Sequence, residues 1–252
     1  MPRTASKIQL TPDTLKGFEA YVHEAETAME ESLPDAKGFL WSDVDPVRAR
    51  QVHAGEIVAG FWSGTGPGRV ASGLIHDWIG AVFTPGVTVE AALALVQDYD
   101  HHQDIYKPEV LVSKLMRRRG NDFEIYLRLL KKKILTVVLD TDHDVQYRSI
   151  DAARCFCRSY TTRIAEVENA GTAKEQVFPP DTGFGFLWRL YSYWRFQERD
   201  GGVYIECRAM SLTRDVPFGL GWVIEPIIQK LPRESLIHTL DCTRRALLAR
   251  MA

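Results

Sequence analysis

Two aromatic-rich segments near the end of the chain repeat with the period of a β-strand, and the segment after them repeats with the period of a helix. One face of the first segment carries Phe186, Trp188, Leu190, Ser192, Trp194 and Phe196. After a Gly-Gly turn, the second segment continues the alternation with Val203, Ile205, Cys207 and Ala209. A hairpin that leads into one long amphipathic helix predicts a curved sheet wrapped around that helix. Such an arrangement leaves an apolar cavity between the two.

The elements before this hairpin predict an α+β fold with an antiparallel sheet. A first helix is expected over residues 11–33, with Thr11 as its N-cap. Its apolar stripe consists of Leu15, Phe18, Val22, Ala25 and Met29. Strands are expected near residues 109–118, 122–130, 134–147, 154–168, 185–199 and 203–212. We place a tight turn at residues 131–133, because lysines there would otherwise interrupt a core strand. A run of strands between helices is typical of antiparallel sheets rather than parallel ones.

Three stretches carry a resemblance to a known superfamily: GAVFTPGVTVEAALALVQDYDHHQDIYKPEVL, HDVQYRSIDAARCFCRSYTTRIAEVE and SLTRDVPFGLGWVIEPIIQKLPRESL. From about residue 73 to about residue 248, the chain resembles the START-related, birch-pollen-allergen-like (SRPBCC) superfamily, which includes polyketide cyclase-like proteins. The resemblance implies a helix-grip fold, in which a curved antiparallel sheet surrounds a long C-terminal helix. It also implies a cavity for hydrophobic ligands, and it transfers no catalytic motif.

The resemblance divides the chain in two. Residues 1–70 form an N-terminal helical extension that packs on the body, and residues 71–252 form the START-like helix-grip domain. Within the closing helix, Pro226 and Pro232 each remove a backbone donor, so we expect a kink or a restart, with Pro232 at the first position of a new turn.

Composition excludes several classes of protein. The chain has 31 basic and 33 acidic residues, a balance that argues against a nucleic-acid partner. No stretch approaches the ~20 apolar residues that span a bilayer, so an integral membrane protein is not expected. The basic runs MRRRG and LLKKK would permit peripheral membrane contact, but solvated turns are the favoured interpretation. The first ten residues lack the apolar core of a signal peptide, and the compartment stays open between cytoplasmic and exported after signal removal.

Two acidic clusters, DYDHHQD at residues 98–104 and DTDHD at residues 140–144, are candidate metal sites by composition. The second cluster has Val145 and Asp151 where a calcium loop requires Gly and Glu. We therefore expect solvated surfaces at both, with no metal and no cofactor. The cysteines at positions 155, 157, 207 and 242 are expected to be free thiols.

The predicted cavity has apolar walls and a few polar groups. The apolar walls are Phe156, Trp188, Trp194, Trp222, Ile224 and Ile228. The polar groups are His143, Arg158, Tyr160 and Ser192. His143 is in phase with an apolar face, and Arg158 would need a carboxylate partner or an acidic ligand group there. The opposite parity on this strand, with Cys155, Cys157 and Ser159 inward, stays open.

These features favour a protein that binds or carries a hydrophobic or amphipathic small molecule, lipid-like or polyketide-like, as its partner. One alternative is a cyclase or dehydratase in which His143 or Tyr160 is the acid or base. Another is a non-catalytic interaction scaffold in which side chains fill the interior and the N-terminal extension is the working surface. Binding is favoured over catalysis, and the question of an enzyme stays open.

Overall fold

The computed structural model describes residues 7–35, 37–62, 66–132, 136–215 and 221–251, with side chains described from residue 231 onward in the last range. The α-helices are α1 (Pro12–Ser32), α2 (Pro46–His53), α3 (Val89–Val96), α4 (His102–Ile105) and α5 (Gly221–Ala249). The strands are β1 (Ile8–Gln9), β2 (Val58–Phe61), β3 (Gly68–Val70), β4 (Gly73–Pro85), β5 (Val110–Arg119), β6 (Asp122–Lys132), β7 (Thr136–Ser149), β8 (Arg154–Glu168), β9 (Gln176–Val177), β10 (Thr182–Gly183), β11 (Arg189–Arg199) and β12 (Gly202–Arg214).

One antiparallel sheet of ten strands dominates the fold. Its main path runs β2-β4-β12-β11-β8-β7-β6-β5, with β3 paired to β4 and β9 paired to β8. The six strands predicted from the sequence correspond to β5–β8, β11 and β12, and the predicted α+β class is confirmed. The predicted boundary at residue 70 falls between β3 and β4, which are hydrogen-bonded neighbours. The division into extension and body stays a prediction.

The turn predicted at residues 131–133 needs correction, because residues 131 and 132 belong to a strand, and residue 133 lies outside the described residues. Strand β6 continues to Lys132 and β7 begins at Thr136, so Lys131 is a strand residue. Its ammonium group forms an ion pair with Glu109, the residue directly before β5, and donates a hydrogen bond of 2.8 Å to Ser235 Oγ on α5. A lysine can face the interior here because its charge is compensated.

Helix α5 lies against the inner face of the sheet. It is one uninterrupted helix from Gly221 to Ala249, so the predicted restart at Pro232 is wrong, and the alternative of a kink stays a prediction. Strand β4 approaches it closely, since a Cβ at Gly80 would lie 2.8 Å from Cδ1 of Leu240 and 3.3 Å from Cγ of Leu236. Glycine therefore allows backbone and helix to meet. In the described part of the chain, no helix is long and apolar enough to cross a bilayer.

Helix α1 covers the outer face of the same sheet. Thr11 Oγ1 accepts a hydrogen bond of 3.2 Å from Thr14 N, which confirms the predicted N-cap. Of the predicted stripe, Phe18, Val22 and Met29 are buried in a cluster with side chains of β4, β11 and β12, and Leu15 is half-buried at its edge. The sheet is therefore covered on both faces.

Charged side chains are also buried beneath this cover. Asp77 on β4 and Arg208 on β12 form an ion pair in which the closest N–O distance is 2.5 Å, and each side chain is only 5% exposed. The hydroxyl of Tyr21 on α1 donates to Asp77 at 2.6 Å. Nearby, the carboxylate of Glu206 accepts hydrogen bonds from the backbone N–H groups of Trp41 at 2.8 Å and Ser42 at 2.7 Å. The N-terminal residues thus supply partners for the buried charges.

We predict that Phe18→Ala lowers the free energy of unfolding by about 3–5 kcal/mol, because the ring is fully buried and its removal leaves a cavity in the outer core. Chemical denaturation measures the change. Lys16→Ala, at an exposed position of the same helix, is the matched control and should change stability by less than about 0.5 kcal/mol. Equal stability of the two variants would show that α1 does not contribute to the core.

Candidate ligand cavity

A cavity of about 540 Å³ lies between the inner face of the sheet and helix α5. Most of its lining is apolar. The apolar side chains include Val96, Ile125, Leu127, Leu129, Leu139, Val145, Leu190, Trp194, Phe196 and Leu236. Val96 lies at the end of α3 and Leu236 on α5, and the others come from alternate positions of β6, β7 and β11, because side chains on a strand point to opposite faces in turn. The alternation that predicted the cavity also positions its walls.

Three of the predicted cavity residues line it: His143 on β7, and Ser192 and Trp194 on β11. Ser192 Oγ accepts a hydrogen bond of 3.3 Å from the indole N–H of Trp194. The predicted phase of β7 is therefore correct, with His143 inward and the three aspartates at positions 140, 142 and 144 on the other side. Of the alternative set left open on β8, Cys157 and Ser159 line the cavity.

The inward assignment of Phe156, Arg158 and Tyr160 needs correction. Phe156 is buried in the outer core, and Tyr160 donates a hydrogen bond to Glu26 of α1. Arg158 is exposed, with its guanidinium over the ring of Tyr160, so its charge is solvated and needs no acidic partner. Both faces of β8 are apolar because both are covered, and apolar periodicity therefore did not define which face points inward.

Trp188 also faces the outer core rather than the cavity. It precedes β11, which begins at Arg189, so strict alternation does not extend to it. Trp222, Ile224 and Ile228 were predicted to line the cavity from the closing helix, and their side chains lie outside the described residues. Their contribution stays a prediction.

His143 forms two contacts inside the cavity. Its Nε2 lies 2.9 Å from Thr141 Oγ1, and its Nδ1 lies 3.4 Å from Ser159 Oγ. Burial lowers the pKa of His143 from 6.5 to about 4, because the charged imidazolium would lose its hydration. At neutral pH the ring is uncharged.

A second cavity histidine, His76 on β4, was not among the predicted site residues. It is fully buried, its Nε2 lies 3.1 Å from Thr213 Oγ1, and its Nδ1 has no hydrogen-bond partner among the described residues. Burial lowers its pKa to about 4 as well. Its period-two relation to Trp78 and Gly80 was visible in the sequence and indicated the inner face, but a single histidine in that phase did not suggest a site.

The two histidines lie in one transverse row of the sheet. His143 pairs with Thr161 of β8, whose hydroxyl oxygen accepts a hydrogen bond of 3.0 Å from the backbone N–H of Leu190. Leu190 pairs with Ser211 of β12, and Ser211 pairs with His76. A row of inward side chains thus crosses the cavity at one level, with a histidine at each flank.

Other polar groups in the lining form hydrogen bonds with each other. Lys131, Glu109 and Ser235 form one cluster, in which Ser235 Oγ donates to Glu109 at 3.2 Å. Elsewhere in the cavity the hydroxyl oxygens of Tyr99 and Tyr147 are 2.8 Å apart. Neither group was predicted from the sequence, since an ion pair between a turn residue and a strand residue leaves no local motif, and neither does a tyrosine pair from a helix and a strand.

The acidic clusters are engaged in ion pairs. Asp98 contacts His101 at 2.6 Å and Arg250 at 3.1 Å, whereas Asp140 contacts Arg128 at 2.7 Å. Among the described residues, no group of three or more His, Cys, Asp or Glu side chains is placed to hold a metal ion. The four cysteines are buried free thiols, as predicted.

The buried histidines predict a loss of stability on mild acidification. His102 resembles His76 and His143, since burial lowers its pKa from 6.5 to about 4, and its Nε2 donates to the Val96 carbonyl at 3.1 Å. A folded-state pKa below the unfolded value means that the unfolded chain binds more protons between pH 6.5 and pH 4. The stability contributed by the neutral ring is therefore fully present above pH 6.5 and is lost as the pH falls toward 4.

Acidification from about pH 7 to pH 5 should lower the unfolding free energy of the parent protein by about 2 kcal/mol more than that of the His102→Gln variant. Glutamine retains an N–H donor for the Val96 carbonyl but does not titrate. Denaturant unfolding at both pH values measures the difference. Identical pH dependence of the two proteins would contradict neutral burial of His102.

Comparison with known proteins relates this architecture to solved structures. No protein-family model matches the chain, and no curated protein matches it. The crystal structure of TTHA0849 from Thermus thermophilus is similar with a TM-score of 0.50 and 14% identity, over 69% of this chain and 98% of that one. The STAR-related lipid transfer protein from Xanthomonas axonopodis is similar with a TM-score of 0.50 and 15% identity, over 72% of this chain and 97% of that one. The chain therefore has the helix-grip fold of the START-related superfamily.

Proposed function

We propose that this protein binds a hydrophobic or amphipathic small molecule in the cavity between the sheet and helix α5. One observation carries the proposal: a space of about 540 Å³ with a mainly apolar lining. Sites for small organic molecules typically have volumes of about 300–1,000 Å³ and combine apolar walls with a few polar groups. An apolar molecule that enters this space removes its own surface and that of the lining from water.

The chemistry of the lining supports a ligand that is largely apolar, lipid-like or polyketide-like. Trp194 and Phe196 form a parallel aromatic pair with ring centroids 6.2 Å apart. Both contribute to the inner wall, and such rings offer large apolar contact surfaces to rigid or aliphatic ligands. The polar groups at His143, Ser159 and Ser192 are few, so they would orient the ligand rather than supply most of its affinity.

The alternatives receive less support. A cyclase or dehydratase required His143 or Tyr160 as an acid or base, and Tyr160 lies on the outer face in contact with Glu26. His143 lies in the cavity, yet its contacts within the described residues are Thr141 and Ser159, without the carboxylate that commonly orients a catalytic histidine. A scaffold required side chains to fill the interior, which here contains a large cavity. A turnover of the bound compound would favour the enzyme.

The first test is to identify a bound compound. Native mass spectrometry of gently purified protein should show a population with the added mass of a small hydrophobic molecule, which organic extraction should release. Nile red, an uncharged hydrophobic dye, is the general probe for the empty cavity. If the purified protein carries no such molecule and also fails to bind Nile red, the proposal is refuted.

The second test fills the cavity. Ala209 on β12 lines it, and a phenylalanine side chain there would occupy space that a ligand needs. We expect Ala209→Phe to weaken Nile red binding at least about tenfold, a change of about 1.4 kcal/mol in binding free energy. Ala20→Phe makes the same substitution at an exposed position of α1 and should bind the dye as the parent does. Unchanged binding by Ala209→Phe would place the dye outside the cavity.

A further inference from the structure

We propose that the cavity recognises hydroxyl groups carried part way along an apolar ligand, and that His143 and His76 each accept a hydrogen bond from such a hydroxyl. The inference rests on the proposed function and specifies the chemical class of the ligand: an uncharged, hydroxylated apolar molecule. It follows from the hydrogen-bond partners of the two threonines that contact the histidines.

The tautomer of His143 is determined by Thr141. The Thr141 hydroxyl donates its only proton to the backbone carbonyl of Leu127, at 3.0 Å. Toward His143 Nε2, 2.9 Å away, the same oxygen can then act only as an acceptor. Nε2 therefore carries the ring proton. In a neutral imidazole the other nitrogen, Nδ1, then has a free lone pair and accepts.

The acceptor of His143 is only weakly engaged within the protein. Ser159 Oγ lies 3.4 Å from Nδ1, which is long for a hydrogen bond from a hydroxyl donor. Both residues line the cavity. A ligand hydroxyl at this position could donate to Nδ1 while it accepts the proton of Ser159. The pair thus complements a group that both donates and accepts.

His76 repeats the same arrangement on the opposite flank of the row. Thr213 Oγ1 donates to the carbonyl of Arg214 at 3.1 Å, so it can only accept from His76 Nε2, also 3.1 Å away. Nδ1 of His76 is left as an acceptor, and within the described part of the chain it is buried without a partner. An unsatisfied buried acceptor is costly, and a ligand donor at this nitrogen would remove that cost.

The chemistry of two neutral acceptors discriminates among oxygen groups. A hydroxyl can donate to Nδ1, whereas an ether or ketone oxygen cannot. A carboxylate would direct lone pairs at the lone pair of an uncharged ring, and that ring offers no positive charge to offset the hydration that the carboxylate loses. The two rings lie in one row of the sheet, and Cys157, Trp194 and Cys207 line the cavity further along the strands between them, β8, β11 and β12. The apolar part of a ligand would lie against these side chains when its hydroxyl meets a histidine.

The experiment compares three ligands that share one ring system: 2-naphthol, 2-methoxynaphthalene and 2-naphthoate. Each is titrated against the protein in competition with Nile red, which has no hydroxyl. We expect 2-naphthol to bind about fivefold more tightly than its methyl ether, the net effect of one hydrogen bond, and 2-naphthoate to bind most weakly. If the ether binds as tightly as the alcohol, or if the carboxylate binds best, the inference is overturned.

Substitutions then assign the preference to the histidines. The double variant His76→Leu, His143→Leu should lose the preference for the alcohol, measured as the ratio of the alcohol and ether affinities within the variant itself. His143→Asn places an amide oxygen near the position of Nδ1 and should retain more of the preference than His143→Leu. Full preference in the double variant would contradict the proposal. If that variant does not fold, the single variants His76→Leu and His143→Leu provide the same test. Full preference for the alcohol in both single variants would contradict the proposal.

The outcomes separate this inference from the function on which it rests. Binding of Nile red together with equal affinities for alcohol and ether would refute hydroxyl recognition and leave ligand binding intact. Failure of the parent protein to bind Nile red and all three naphthalenes would refute both. Loss of the alcohol preference in leucine variants that still bind Nile red would support both.

Discussion

The ion pair between Asp77 and Arg208 joins two adjacent central strands on the face of the sheet that lies opposite the cavity. Charges removed from water are tolerated only where partners replace the lost hydration. The Tyr21 hydroxyl supplies one of those partners, and α1 excludes solvent from the pair. On the inner face, the side chains that border the cavity have fewer packing contacts. The fold therefore depends on a well-filled outer face, and α1 is an integral part of it.

The chemistry of the interior follows from how each polar group is satisfied. Glu109 and Lys131 pair with each other, and the hydroxyls of Tyr99 and Tyr147 do the same. The cavity histidines remain neutral because no anion contacts them among the described residues. An apolar molecule can occupy such a space without removing water from an isolated charge. The same neutrality leaves each ring with one nitrogen lone pair that can accept a hydrogen bond.

Much of this architecture was predictable from periodicity. The order of elements, the strands, the N-cap at Thr11 and the inward phase of His143 and Trp194 follow from local spacing. Strand β8 was ambiguous because Phe156 and Cys157 are both buried, on opposite faces. Single-strand periodicity distinguishes a buried face from an exposed one, but not two buried faces from each other. Lys131 was misassigned for a related reason, since its partner Glu109 is distant in sequence.

Gly80 has a consequence for the size of the cavity. It does not line the cavity, yet its missing side chain sets how closely β4 and α5 approach through Leu236 and Leu240. A methyl group at that position would require Leu240, Leu236 or the strand itself to move, and Leu236 is part of the cavity wall. The shape of the cavity thus depends partly on a residue that does not line it. Exchanging a single hydrogen for a methyl group there would alter the space inside while every residue of the lining stays the same.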